Sequence, residues 1–102
     1  MDKLLLNSDN VLQLKLKNGN DNSDFNTATV YVTLYDTSGT EIPDETWPIN
    51  MSYVAGSAGL YRATIADTVG LVDKQLVDAV IEANGGSGLY REFNKRMQVV
   101  KG

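Results

Sequence analysis

The sequence predicts an all-β protein, a two-sheet sandwich of about seven strands, and three observations predict it. Short runs alternate apolar with polar residues along most of the chain, the period-two signature of strands with one buried face. Turns rich in Gly, Asn and Asp separate these runs. No stretch carries a convincing amphipathic-helix pattern.

The elements follow in chain order. Leu4, Leu5 and Leu6 make a first short strand, and Leu12, Leu14 and Leu16 alternate with Gln13, Lys15 and Lys17 in a second. A polar loop spans residues 18–24. From Thr27 to Tyr35, Ala28, Val30, Val32 and Leu34 share one face and Thr29, Tyr31, Thr33 and Tyr35 the other. Both faces suit a pleated surface, which makes this a central strand. Asp36-Thr37-Ser38-Gly39 reads as a turn, with Asp first and Gly fourth.

Beyond a short acidic connection, Trp47, Ile49, Met51 and Tyr53 alternate with Pro48, Asn50 and Ser52. Pro48 donates no ladder hydrogen bond, so it marks an edge or a strand start. Trp47 is the expected core aromatic. Residues 55–59 turn the chain into a strand from Leu60 to Ile65, and residues 66–75 read as a linker with one helical turn. Val77, Ala79, Ile81 and Ala83 alternate again, and residues 84–88 form a hairpin turn into a last strand from Leu89 to Val100. Gly56–Arg62 echoes Gly85–Arg91 in turn chemistry and in its Leu-Tyr-Arg ending. Two copies are too few for a solenoid, so the echo reflects two turns with the same backbone requirement.

At 102 residues the chain has room for one domain, residues 1–102, with residues 1–10 as an N-terminal arm. Its 42% hydrophobic and 22% charged content is that of a folded domain rather than a disordered one. With no cysteine there is no disulfide framework, and with no histidine the commonest general base and metal ligand is missing. The reading is therefore non-enzymatic, without a cofactor. Net charge −4 argues against nucleic acid as partner. The short apolar run at Leu4–Leu6 is not a Sec leader, no stretch is long enough for a membrane span, and no membrane partner is expected.

Candidate chemistry is sparse. Residues 84–88 lack the Lys-Ser/Thr ending and following helix of a phosphate loop. Asp21 and Asp24, among Asn18, Asn20 and Asn22, are rich in oxygen but lack the calcium-loop spacing and its closing Glu. Asp44 and Glu45 are adjacent, so on a strand they point to opposite faces and do not share a substrate.

Association offers more. Residues 1–88 carry net −7 and residues 89–102 net +3. The acidic segment of Asp36, Glu41, Asp44 and Glu45 thus opposes in sign the strand bearing Arg91, Lys95 and Arg96. One reading has a neighbouring copy's basic strand meeting this acidic segment, with Leu4, Leu5 and Leu6 anchored on the same neighbour. The other has the charges as solvated rim and the leucines completing the domain's own core. Tyr31 and Tyr35, on one face of one strand, suit either an interface or cross-strand packing, and Tyr61 and Tyr90 raise the same question.

Residues 28–39 (ATVYVTLYDTSG) and 51–65 (MSYVAGSAGLYRATI), followed by an alternating strand and a Gly turn, resemble small immunoglobulin-like proteins of tailed bacteriophages and prophages. The resemblance spans residues 27–100. It implies an immunoglobulin-like sandwich and a structural role in the virion, as a head decoration or a neck or tail component. It further implies other virion proteins as partners, a homo-oligomer in the assembly, and synthesis in the bacterial cytoplasm. Leu76 and Val77 stand where such domains often place an aromatic. The alternative is an immunoglobulin-like module that binds a carbohydrate or a host surface.

Overall fold

The computed structural model describes residues 2–17, 28–86 and 89–101. Among them are seven strands and no helix: β1 (Asp2–Leu6), β2 (Asn10–Lys15), β3 (Thr29–Tyr35), β4 (Ile49–Tyr53), β5 (Leu60–Ile65), β6 (Leu76–Gly86) and β7 (Leu89–Lys101). Their spatial order is β1-β7-β6-β3-β4-β5-β2. Only β1 and β7 pair in parallel; the other neighbours are antiparallel. Strands β3, β6 and β7 lie together, as do β2, β5 and β4, which is the immunoglobulin grouping.

The two expected sheets are joined. The first half of β4 pairs with β3 through Ile49–Met51, and its last residues, Ser52 and Tyr53, pair with β5. One mixed sheet therefore bends over at β4 and nearly closes into a barrel. Closure fails between the edge strands β1 and β2, except at the corner where they meet. There Leu5 N–H donates to Asn10 Oδ1 (2.8 Å), and Asn10 Nδ2 donates to the carbonyls of Leu5 (3.0 Å) and Ser8 (3.1 Å). The Asn10 carboxamide does the work of a backbone pair, which explains a buried polar residue on the apolar stripe of β2.

Alternation translates directly into burial. Val30, Val32 and Leu34 on β3 and Val77, Ala79, Ile81 and Ala83 on β6 all point into the core, because successive side chains leave the pleat on opposite faces. Strand β3 is central, between β4 and β6. Pro48, joined to Trp47 by a cis peptide, immediately precedes β4.

Three expectations need correction. Leu4 is 1% exposed and packs in the domain's own core opposite Val99, so residues 2–6 belong to the sheet and not to a free arm. Trp47 is only half-buried at the core margin, where its indole N–H donates to the Ile42 carbonyl (2.7 Å). The buried aromatic is Tyr61, 1% exposed, whose hydroxyl accepts the N–H of Ala28 (3.0 Å). Its ring is tilted by 58° against that of Tyr53, with 5.7 Å between ring centroids. Residues 66–75 make two turns instead of a helical one, closed by bonds from Val69 N–H to Ala66 and from Gln75 N–H to Val72. Val69 between them enters the core and ties this connection down.

The repeated Leu-Tyr-Arg is not a structural repeat. Tyr61 points inward, while Tyr90 at the matching place is 56% exposed.

Candidate interaction surface

The outer face of the layer β1-β7-β6-β3-β4 gathers several of the residues singled out above. Register sets them in rows across the strands. One row holds Asn50, Tyr31, Glu82 and Glu92; the next toward the turn of β6 and β7 holds Thr29, Asn84 and Tyr90. On the other side of Tyr31, Thr33, Val80 and Asn94 form a row, then Tyr35, Asp78 and Arg96. Leu5 and Val100 close the face at its far end. Tyr31 (38% exposed) and Tyr90 (56%) stand out from it, Tyr35 and Val80 are half-buried, and Thr33 is buried between the two β3 tyrosines in sequence.

Electrostatics divide this face in two. Glu82 and Glu92 sit directly opposite each other, a like-charge pair that disfavours the sheet locally. Loss of water around the Tyr90 phenol, then the charges of Glu82 and Glu92, push its pKa up, so the phenol stays protonated and its hydroxyl bonds Glu82. Two rows away the charges are matched. Arg96 grips Asp78 with two bonds, Nε to Oδ1 at 2.7 Å and Nη2 to Oδ2 at 3.1 Å. That hydrogen bond, reinforced by the guanidinium charge, holds the Asp78 carboxyl below its ordinary value.

Arg96 is thus engaged within its own molecule by Asp78 of β6, which lies outside the acidic segment of Asp36, Glu41, Asp44 and Glu45. Glu41 forms a backbone bridge to Tyr35, whose register partner on β6 is Asp78. The other acids serve their own loops. Asp36 Oδ1 accepts Ser38 Oγ–H (2.7 Å), Ser38 N–H (2.9 Å) and Thr40 N–H (3.0 Å), and the Ser38 hydroxyl above all holds its pKa down. Gly39 completes that turn with φ +85°. Glu45 accepts the N–H of Thr46 (2.8 Å), and Asp44 adopts φ +67° beside Gly70.

Arg91 and Lys95 lie elsewhere. They share the inward side of β7 with Phe93, Met97 and Val99, yet both are exposed because the second layer does not cover that half of the strand. The Arg91 guanidinium lies 5.5 Å from the Phe93 ring centroid, a cation–π contact. Lys95 lines a groove at the open seam together with Lys3. Of the leucines, Leu5 is 42% exposed on the outer face and Leu6 packs at the margin of the core.

Asn10, Tyr61 and the cluster of Tyr90, Glu82 and Glu92 were not singled out from sequence for these roles. Asn10 carried a signal, since it shares parity with Leu12, Leu14 and Leu16. The cluster carried none, because only register puts Glu82 opposite Glu92. The oxygen-rich loop 18–24 lies outside the described residues. Among the described residues no group of three acids is placed to hold a metal ion, and no helix is long and apolar enough to cross a membrane. No protein-family model matches the chain, and no curated protein matches it.

Proposed function

We propose that this chain is a non-catalytic assembly subunit that docks through the outer face of its five-stranded layer. The setting is the one its resemblance implies, a tailed-bacteriophage virion, with a place on the head, neck or tail. The observation that carries the reading is the pair of outward tyrosines, Tyr31 and Tyr90, on a sheet face whose centre at Thr33 and Val80 is already partly covered. Tyrosine supplies large, stiff contact area with a polar tip, which favours interfaces. The sheet beneath it is held by seven paired strands, so little ordering is needed on binding.

The test is Tyr31→Ser with Tyr90→Ser, neither residue being in the core. Copies per purified particle, counted by quantitative mass spectrometry, should fall at least tenfold while the melting temperature stays near wild type. Wild-type incorporation of the double variant overturns docking by this face. Absence of the unaltered chain from purified particles overturns the virion setting.

A second reading rests on the same tyrosines. Asn50, Asn84, Asn94 and Glu82 surround them with amide and carboxylate groups, a mixture that suits a sugar ring stacked on a phenol and hydrogen-bonded at its rim. Saturable binding on a glycan array, lost in the double variant, favours it over protein docking.

A further inference from the structure

The two layers carry opposite charge patterns on their outer faces. Residues directed outward from β2 and β5 fall into register rows: Val11 with Thr64, Gln13 with Arg62 and Ser52 of β4, then Lys15 with Leu60. The alternate residues Tyr61, Ala63 and Ile65 are buried, so these rows look away from the core. Strands β2, β4 and β5 contain no acid. Arg62 and Lys15 are exposed, and Val11 on the same face is 53% exposed. Asp9 and Asp67 lie past the end of the face at Asn10 and Ile65, where Asp67 N–H donates to Asp9 Oδ1 (2.8 Å). With its carboxamide oxygen turned toward Arg62, Gln13 accepts from Nε (3.3 Å) and Nη2 (3.2 Å), which orients the guanidinium and leaves its charge uncancelled. Across the core, the rows of Tyr31, Glu82 and Glu92 and of Thr29 and Tyr90 carry two exposed carboxylates and, among the described residues, no cation. Repulsion between Glu82 and Glu92 costs the isolated sheet, and a cation brought by a partner offsets it.

We propose that the partner of this tyrosine-bearing face is a second copy of the chain, which meets it with its own face of β2 and β5. The inference rests on the reading of the outer face as the docking surface and names what docks there. Arg62 of one copy serves Glu82 and Glu92 of the next, while Tyr31 and Tyr90 offer their rings to the guanidinium and to Val11. Packed sheet faces stand about 10 Å apart, a gap that side chains of this size fill. Like faces are disfavoured as partners, since they bring like charges together. The two faces look out from opposite sides of one molecule, so the contact is heterologous and repeats head to tail into a ring or a filament. The basic face is only roughly 10 Å by 20 Å, so a single contact is weak and gains strength by repetition.

The experiment uses the full chain alone. Amide shifts of ¹⁵N-labelled protein, followed over a hundredfold dilution, should move on both faces together: residues 11–15 and 60–64 along with 29–31, 82 and 90–92. Sedimentation over the same series gives the association constant. Lys15→Glu/Arg62→Glu should weaken association at least tenfold. So should Glu82→Lys/Glu92→Lys, although it takes the net charge from −4 to zero and relieves general repulsion. The quadruple variant, with both faces reversed, should recover wild-type association. Thermal melts verify that each variant is folded. A monomer at every concentration, shifts confined to one face, stronger association of the neutral variant, or a quadruple variant as weak as either parent overturns the proposal. Loss of particle incorporation in Tyr31→Ser/Tyr90→Ser, with a purified chain that stays monomeric, keeps docking by the outer face and overturns the second copy as its partner.

Discussion

Single side chains carry out closures that the backbone leaves undone. Asn10 is the clearest case, its one amide group serving both the N–H and the C=O of Leu5. Asn10→Ala strands those groups where β1 and β2 meet and should cost about 1–3 kcal/mol in urea unfolding. Asp36 and Asp78 supply a pH dependence whose sign follows from their partners. Hydrogen bonding from Ser38 and from Arg96 holds each carboxyl below its ordinary value. Their stabilisation is therefore complete above the unfolded-state pKa of about 4 and is lost as pH falls through the lower folded values. Thermal melts should show a stability loss below about pH 4 that Asp36→Asn with Asp78→Asn makes shallower. An unchanged acid limb would mean that neither bond persists in solution.

At the scale of elements, the connections are held as firmly as the strands. The loop 42–48 folds back so that Pro43 O accepts the N–H of Gly70 (2.9 Å). A Cβ on Gly70 would stand 2.7 Å from Pro43 Cγ and 2.9 Å from Asp44 Oδ2, with the Pro43 carbonyl oxygen at 3.2 Å. Proline's ring has little freedom to give way, so Gly70→Ala should destabilise by about 1–3 kcal/mol, as overpacking does. The measurement is the urea midpoint with unchanged m-value, which separates lost stability from an altered unfolded state. The turn 36–39 was legible in the sequence because its requirement is local, an Asp to accept amides and a Gly for positive φ. The contact between Pro43 and Gly70 was not legible, since it joins two loops that no local pattern relates.

For the molecule as a whole, the parallel pairing of β1 with β7 brings residues 2–6 against residues 97–101. Removing residues 1–6 takes away Leu4, fully buried beside Met97 and Val99. The loss should be at least the roughly 2–5 kcal/mol of a Leu→Ala cavity, read from urea unfolding of residues 7–102. A truncated chain as stable as the full one would restore the reading of these residues as an arm reserved for a neighbour.

By itself the sequence determined the all-β class, the approximate strand spans and, for the strands at Leu12–Leu16, Thr27–Tyr35 and Val77–Ala83, which residues share the apolar face. Val30, Val32 and Leu34 are buried as alternation requires, as are Val77, Ala79, Ile81 and Ala83, because the pleat has a period of two and needs no distant information. Only the tertiary structure decided which strands are neighbours and in what register. Asp78 faces Arg96, Glu82 faces Glu92, Leu4 meets Val99 and Asn10 reaches Leu5 across an open seam. Such pairs depend on how hydrophobic faces pack over the whole chain, and a shift of one residue would replace every one of them.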